Sequence, residues 1–237
     1  MRMKKIGLLL SLLWCAVPAF SQVGINGAFR LHHAPRWIHE GSTASVSPVG
    51  SGFAIGIDYW WRLKNYRLEF LPELNVGRYR QHNDFDQKFS NSLYSLFLNT
   101  NWYLFDFKGD CNCPTFSKQG EFLKKGFFVQ ISPGLSFVQY ELSFNEETAP
   151  DKPVELNSEG LAFSLGLGAG LDIGVTDLIT VTPILGLRYY PAMNWPGLSQ
   201  LPPVNDAVLE EKSPLWQLSA GARVGLRFDY GNRRRRW

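Results

Sequence analysis

Beyond its first two dozen residues the chain has no run of about 18 consecutive apolar positions, so it holds no helix able to cross a bilayer. Cysteine is scarce: there are three, Cys15, Cys111 and Cys113. Histidine numbers only four, and no His/Cys spacing typical of a zinc site occurs. Net charge is nearly absent, with 24 Lys and Arg against 21 Asp and Glu. A near-neutral body with one short basic stretch, Arg233 to Arg236, is a poor electrostatic footprint for nucleic acid. What is abundant is ring and glycine: 8 Trp, 9 Tyr, 17 Phe and 22 Gly.

The first residues, MRMKKIGLLLSLLWCAVPAFSQ, set a basic start ahead of an apolar run from Ile6 to Val17. Small residues at Ala19 and Ser21 then precede Gln22. This is the pattern of a secretory signal peptide over residues 1–21, with an apolar run too short to span. Lipidation at Cys15 is disfavoured, because the large Trp14 stands where a small residue is normal. Cleavage before Gln22 would remove Arg2, Lys4 and Lys5 and no acidic residue, leaving a formally neutral body. Cys111 and Cys113 would then work in an oxidising compartment.

The rest of the chain alternates. From Leu161 to Val175 every odd position is apolar, and the even positions between them are Ala, Ser, Gly or Asp. Successive strand side chains face opposite ways, so this is one greasy face and one thin polar face. As a helix the segment would carry four interior glycines, each costing roughly 1 kcal/mol relative to Ala. The same pattern recurs around Val23–Leu31, Phe53–Trp61, Tyr66–Val76, Tyr94–Leu104, Phe127–Phe137, Ile179–Tyr189 and Trp216–Tyr230. Eight such strands, each of about ten residues or more, suit either a soluble sandwich or a membrane barrel.

Two features favour the barrel. Connections after the first, third, fifth and seventh strands are expected to be long (residues 32–51, 80–92, 144–159 and 190–214). Those joining strands two to three and six to seven are short, as in outer-membrane barrels. One connection on the short side, residues 107–125, is also long. Aromatics also gather at strand ends: Tyr59, Trp61, Tyr66, Trp102, Phe228 and Tyr230 at one rim, Tyr189 and Trp216 at the other. Two girdles of this kind are expected where rings meet headgroups. The expected fold is therefore all-β, an eight-stranded antiparallel up-and-down transmembrane barrel over residues 22–230, with residues 231–237 as a basic periplasmic tail. LEFLPELNVGRYR, VQISPGLSFVQY and ITVTPILGLRYY form a weak repeat, each with a proline inside a strand. Pro72, Pro133 and Pro183 each remove a ladder donor without breaking the alternation, which the sequence does not explain.

These strands, together with DFKGDCNCPTFSKQGEFLKKGFFVQISPGL, resemble the porin-like outer-membrane β-barrel proteins of Bacteroidetes. The architecture is also similar to OmpA-type, OmpX-type and PorT-type barrels. The resemblance covers nearly all of residues 22–230 and implies an outer-membrane location, lipid as surroundings and recognition by the barrel-insertion machinery. It carries no catalytic residue and no cofactor. Barrels of this kind usually end on an aromatic that closes the last strand. Here Tyr230 fills that place and GNRRRRW follows it.

Inward parity gathers charge: Arg30, Asp58, Arg67, Glu69, Glu73, Arg223 and Arg227. An eight-stranded interior is just wide enough for side chains to fill, so an ion-paired plug is favoured over an open charged pore. Arg223, Arg227, Asp58, Glu69 and Glu73 are expected to form one paired network. His32, His33, His39 and His82 fall in the far connections beside Glu40, Asp84 and Asp86. They read as solvated loop residues rather than as a metal site or a rim hydrolase. Cys111 and Cys113, one residue apart, could close only a strained, labile disulfide. The expected function is a non-enzymatic barrel whose loops bind or shield, without metal. The alternatives are a passive channel for small solutes, a secretion accessory and an outer-leaflet lipid-modifying enzyme.

Overall fold

The computed structural model describes residues 22–37, 39–40, 45–46, 49–62, 68–82, 87–104, 126–144, 156–176, 178–198 and 210–227. The leader, Arg67, Tyr66, the Cys111–Cys113 segment, Phe228, Tyr230 and the basic tail lie outside the described residues. So do the side chains of Arg227, His39, Glu40 and His82.

Eight long strands carry the fold: β1 (Gln22–His33), β2 (Ser51–Arg62), β3 (Leu68–His82), β4 (Gln87–Trp102), β5 (Phe127–Phe144), β6 (Leu156–Leu171), β7 (Ile179–Asn194) and β8 (Lys212–Arg227). Each pairs antiparallel with its neighbour in sequence, and β8 pairs with β1 from Arg227↔Gln22 to Trp216↔His33. The sheet closes on itself and its barrel strands have no free edge. Two minor pieces accompany it. His39–Glu40 pairs with Ser45–Val46 between β1 and β2, and Ile173–Gly174 continues β6 beyond a break at Asp172.

Period-two alternation sets which side chain faces where, and the outcome is inverted relative to a water-soluble barrel. Phe53, Leu161 and Leu185 point outward and are 71%, 67% and 65% exposed, whereas inward Asp58, Asn75 and Ser136 are 4%, 2% and 0% exposed. Apolar rows on all eight strands make one continuous belt, a surface that demands an apolar surrounding. Outward rings pair across strands, as Phe29 with Phe53 (5.2 Å) and Tyr189 with Trp216 (4.4 Å), each pair adding cross-strand stabilisation.

The barrel has a near end, where β1 begins, and a far end. One expected far connection is corrected. Residues 80–92 are not a long loop: β3 runs to His82 and β4 starts at Gln87, so only residues 83–86 join them. The strands continue above the apolar belt with polar side chains, and there the alternation no longer announces a strand.

The prolines obey one rule. Pro72 keeps its partner Leu98 on β4 but faces a gap toward β2, where pairing stops at Asp58↔Glu73 and resumes at Trp61↔Phe70. Pro133 pairs with Leu165 on β6 and faces a gap toward β4. Pro183 pairs with Ala222 on β8 and faces a gap toward β6. Each ladder is interrupted on the side of the preceding strand only, and the register is the same on both sides of the gap. Two gaps are bridged inside the lumen by side chains, Ser132 Oγ donating to Asn99 Oδ1 (2.6 Å) and Thr182 Oγ1 to Asp172 Oδ1 (2.5 Å).

Candidate functional site

The interior is layered from one end to the other. Its far third is packed mainly with aromatic and aliphatic side chains. Trp37 from the connection after β1 and Trp195 and Leu198 from the connection after β7 reach back over the mouth, each fully buried. They meet Tyr79, Phe89, Leu93, Tyr140 and Tyr190 from the barrel wall. Trp195 stacks on Tyr140 (4.5 Å, 18°) and meets the edges of Phe89 and Trp37, both at 5.9 Å. Backbone chemistry holds the two tryptophans in place. Trp37 Nε1 donates to the Glu210 carbonyl (2.9 Å), and Trp195 N donates to the Glu211 carbonyl (2.8 Å). Gly197 takes φ 85°, a conformation only glycine adopts freely, and its N–H reaches Glu211 Oε1 (3.1 Å). This stopper was not foreseen, because its two tryptophans sit in aperiodic connections.

His32 belongs to this region and corrects the loop reading. It is the last inward residue of β1, half-buried, with Nδ1 donating to the Gly50 carbonyl (2.9 Å) and Nε2 against Gln217 Oε1 (3.2 Å). Its ring stands edge-on to Tyr79 at 4.3 Å. Both ring nitrogens are occupied, so His32 is a structural residue. His33, one position on, is exposed. Among the described residues no group of three His, Cys, Asp or Glu could hold a metal ion.

The middle layer is cationic. Arg30 donates from Nη1 to the Tyr79 hydroxyl (3.0 Å), and Arg188 donates to the Ser132 carbonyl (3.0 Å), Ser132 Oγ (2.5 Å) and Ser164 Oγ (2.9 Å). Both guanidinium groups lie over the ring of Phe97, at 5.7 and 3.7 Å from its centre. Arg188 was not singled out from sequence, although its position between Leu187 and Tyr189 gives it inward parity.

The near layer is acidic. Arg223 grips Asp58 through Nε (2.9 and 2.8 Å) and Nη2 (2.6 Å), the bidentate geometry of a strong ion pair. The two belong to β8 and β2, and Arg223 crosses β1 over Gly24 to reach its partner. A Cβ at Gly24 would sit 2.5 Å from Arg223 Nε and 2.6 Å from Asp58 Oδ1. Glu73 and Glu69 do not join this pair. Glu73 accepts from Asn75 (2.9 Å) and Asn99 (2.6 Å), and Glu69 accepts from the Tyr103 hydroxyl (2.6 Å). Tyr103 also stands 2.6 Å from Asp172 Oδ2. Among the described side chains the expected network members make local contacts, an ion pair, an amide-held carboxylate and a phenol bridge, and the Arg227 side chain lies outside the described residues. Neutral side chains hold Glu73 and Glu69, through Asn75, Asn99 and Tyr103. A cavity of about 100 Å³ runs between the middle and near layers, lined by Arg30, Arg188, Arg223, Asp58, Glu73 and Asp172 among others.

Of the ring residues expected at the rims, Tyr59, Trp61, Trp102 and Trp216 are exposed on the outer wall and Tyr189 is half-exposed there. Tyr59, Trp61 and Trp102 lie toward the near end, Tyr189 and Trp216 toward the far end.

No protein-family model matches the chain, and no curated protein matches it in sequence. Solved structures match in shape. Neisserial surface protein A is 15% identical, with 88% of this chain and 97% of that chain covered and a TM-score of 0.44. Ail, the attachment invasion locus protein of Yersinia pestis, is 13% identical, with 87% and 99% covered and a TM-score of 0.39. The outer-membrane protease OmpT of Escherichia coli is 8% identical, with 90% and 98% covered and a TM-score of 0.43. These neighbours include a surface protein and a protease, and at such identities no activity passes to this chain. The eight-strand closure rests on its own hydrogen-bonded register.

Proposed function

We propose that this protein is a non-enzymatic outer-membrane barrel that stays closed to solutes and works through its far-end surface. The observation that carries the reading is the aromatic stopper packed into the far end of the lumen, and the Asp58–Arg223 pair supports a second narrowing at the near end. A passive channel needs a continuous wet path, and here packed aromatic and aliphatic side chains occupy the far third. The apolar outer belt supports a lipid surrounding, reached by export behind residues 1–21 and insertion by the barrel-assembly machinery. The far end then faces outward. There Arg36 and Glu210 tie the first and last connections together in an exposed ion pair (3.3 Å). Connecting segments on a rigid scaffold are the usual seat of binding, so a surface ligand is the expected partner.

A rim hydrolase is less well supported, because His32 spends both ring nitrogens on structural contacts. The test is electrical. Purified barrel in planar bilayers is expected to give no steady conductance, and the protein is expected in the outer-membrane fraction. Steady channels from the unmodified protein would replace this reading with the passive-channel one. Recovery as a soluble protein without detergent would sink both.

A further inference from the structure

Arg30 and Arg188 are buried, 5% and 8% exposed, yet neither lies within 4.0 Å of a carboxylate among the described residues. Arg30 has five N–H donors and spends one, on the neutral Tyr79 hydroxyl. Its Nε is buried without a partner. Arg188 is bonded only to neutral acceptors on Ser132 and Ser164. Its link to Glu73 passes through two uncharged groups, Ser132 Oγ and the Asn99 amide. The face of Phe97 attracts both cations but supplies no charge. Guanidinium does not shed its proton in proteins, so neutralisation is not an escape from burial. Arg223, also buried in the lumen, shows the contrast: it has its carboxylate at 2.6 Å.

Both unpaired guanidiniums line the cavity of about 100 Å³, which has room for a halide or a few waters. We propose that the middle of the lumen is a binding site for a small monovalent anion of the chloride kind, held by Arg30 and Arg188. The rest of the lining sets the selectivity. Asp58, Glu69, Glu73 and Asp172 face the same cavity from the near side. They repel a dianion and confine a monovalent one to the arginine side. A bulky, heavily hydrated sugar acid is the expected poor fit between the two guanidiniums. The anion takes the place of the carboxylate that neither Arg30 nor Arg188 has within 4.0 Å among the described residues, and it does so whether or not the barrel conducts.

The experiment compares thermal unfolding of the detergent-refolded barrel in sodium chloride and in sodium gluconate at equal ionic strength. Binding to the folded state alone raises the melting temperature with ligand concentration. A rise with chloride over gluconate is expected in the unmodified protein and is expected to vanish in Arg30→Met. In gluconate, Arg30→Met is expected to melt no lower than the unmodified protein, because an uncompensated charge has been removed. Equal melting in the two salts, or a chloride increment that survives in Arg30→Met, overturns the site. If that variant does not fold, crystals of the unmodified protein grown in bromide decide. An anomalous peak within hydrogen-bond distance of Arg30 Nε is expected, and its absence at full bromide loading overturns the proposal.

Discussion

Arg223 and Asp58 sit on strands that never touch, and their contact depends on the missing side chain of Gly24 between them. Removing one member of a buried pair strands the other. Arg223→Ala is expected to cost about 3–5 kcal/mol in a dry site, and less where cavity water reaches Asp58. The exposed pair Arg36–Glu210 gives the control: Arg36→Ala is expected to cost under about 1 kcal/mol. Urea titration of the refolded barrel reads both, and equal costs would mean the lumen is wet throughout. Gly24 itself offers a second measurement. Gly24→Ala pushes a methyl into the bonded guanidinium and carboxylate and is expected to destabilise the barrel measurably. Gly27→Ala on the same strand meets nothing within 4 Å and points outward, so it is expected to be neutral or slightly stabilising. A reversed order would overturn the assigned faces of β1.

At the scale of the element, what could be read in advance was decided by side-chain parity. Phe53, Ile55 and Ile57 alternate with Ala54, Gly56 and Asp58, and that alone gives β2 its two faces. Strand ends were less legible. His32 has inward parity on β1, yet a polar residue next to His33 reads as loop when only apolar positions mark a strand. The same cause hid the upper parts of β3 and β4. The prolines became intelligible only once both neighbours were visible, since the ladder is interrupted on one side and intact on the other. Facing yields a direct test in β6. Leu167 is outward and 56% exposed, and Arg there is expected to cost about 2–4 kcal/mol at the bilayer midplane. Gly168 is inward, and a Cβ there would press the Leu185 carbonyl at 3.1 Å, a contact relieved by a shift of a few tenths of an ångström. Gly168→Ser is therefore expected to be felt but to be the milder change. Heat-modifiability of the two variants on a gel compares them, and equal damage would contradict the facing.

At the scale of the whole molecule the proposed closure places two seals in series in the lumen, and their sequence signatures differ. Asp58 and Arg223 announce themselves as charges of inward parity, although not as each other's partner. Trp37 and Trp195 lie where no period exists, so only the folded barrel reveals that they cap it. Seals in series make a specific electrical prediction, because current through the barrel is set by whichever obstruction remains. Trp195→Ala removes a ring that packs on Trp37, Phe89 and Tyr140 and is expected to cost about 3–5 kcal/mol. It leaves the Asp58–Arg223 layer intact and is expected to stay electrically silent. Arg223→Ala leaves the aromatic stopper intact and is expected to be silent as well. Only the double variant clears both levels, and it is expected to give openings in planar bilayers. Its stability loss should be near the sum of the single losses, because the two sites lie at opposite ends of the barrel and share no partner. Openings from Trp195→Ala alone would mean that the near-end layer is permeable to ions and that the aromatic stopper is the one true barrier.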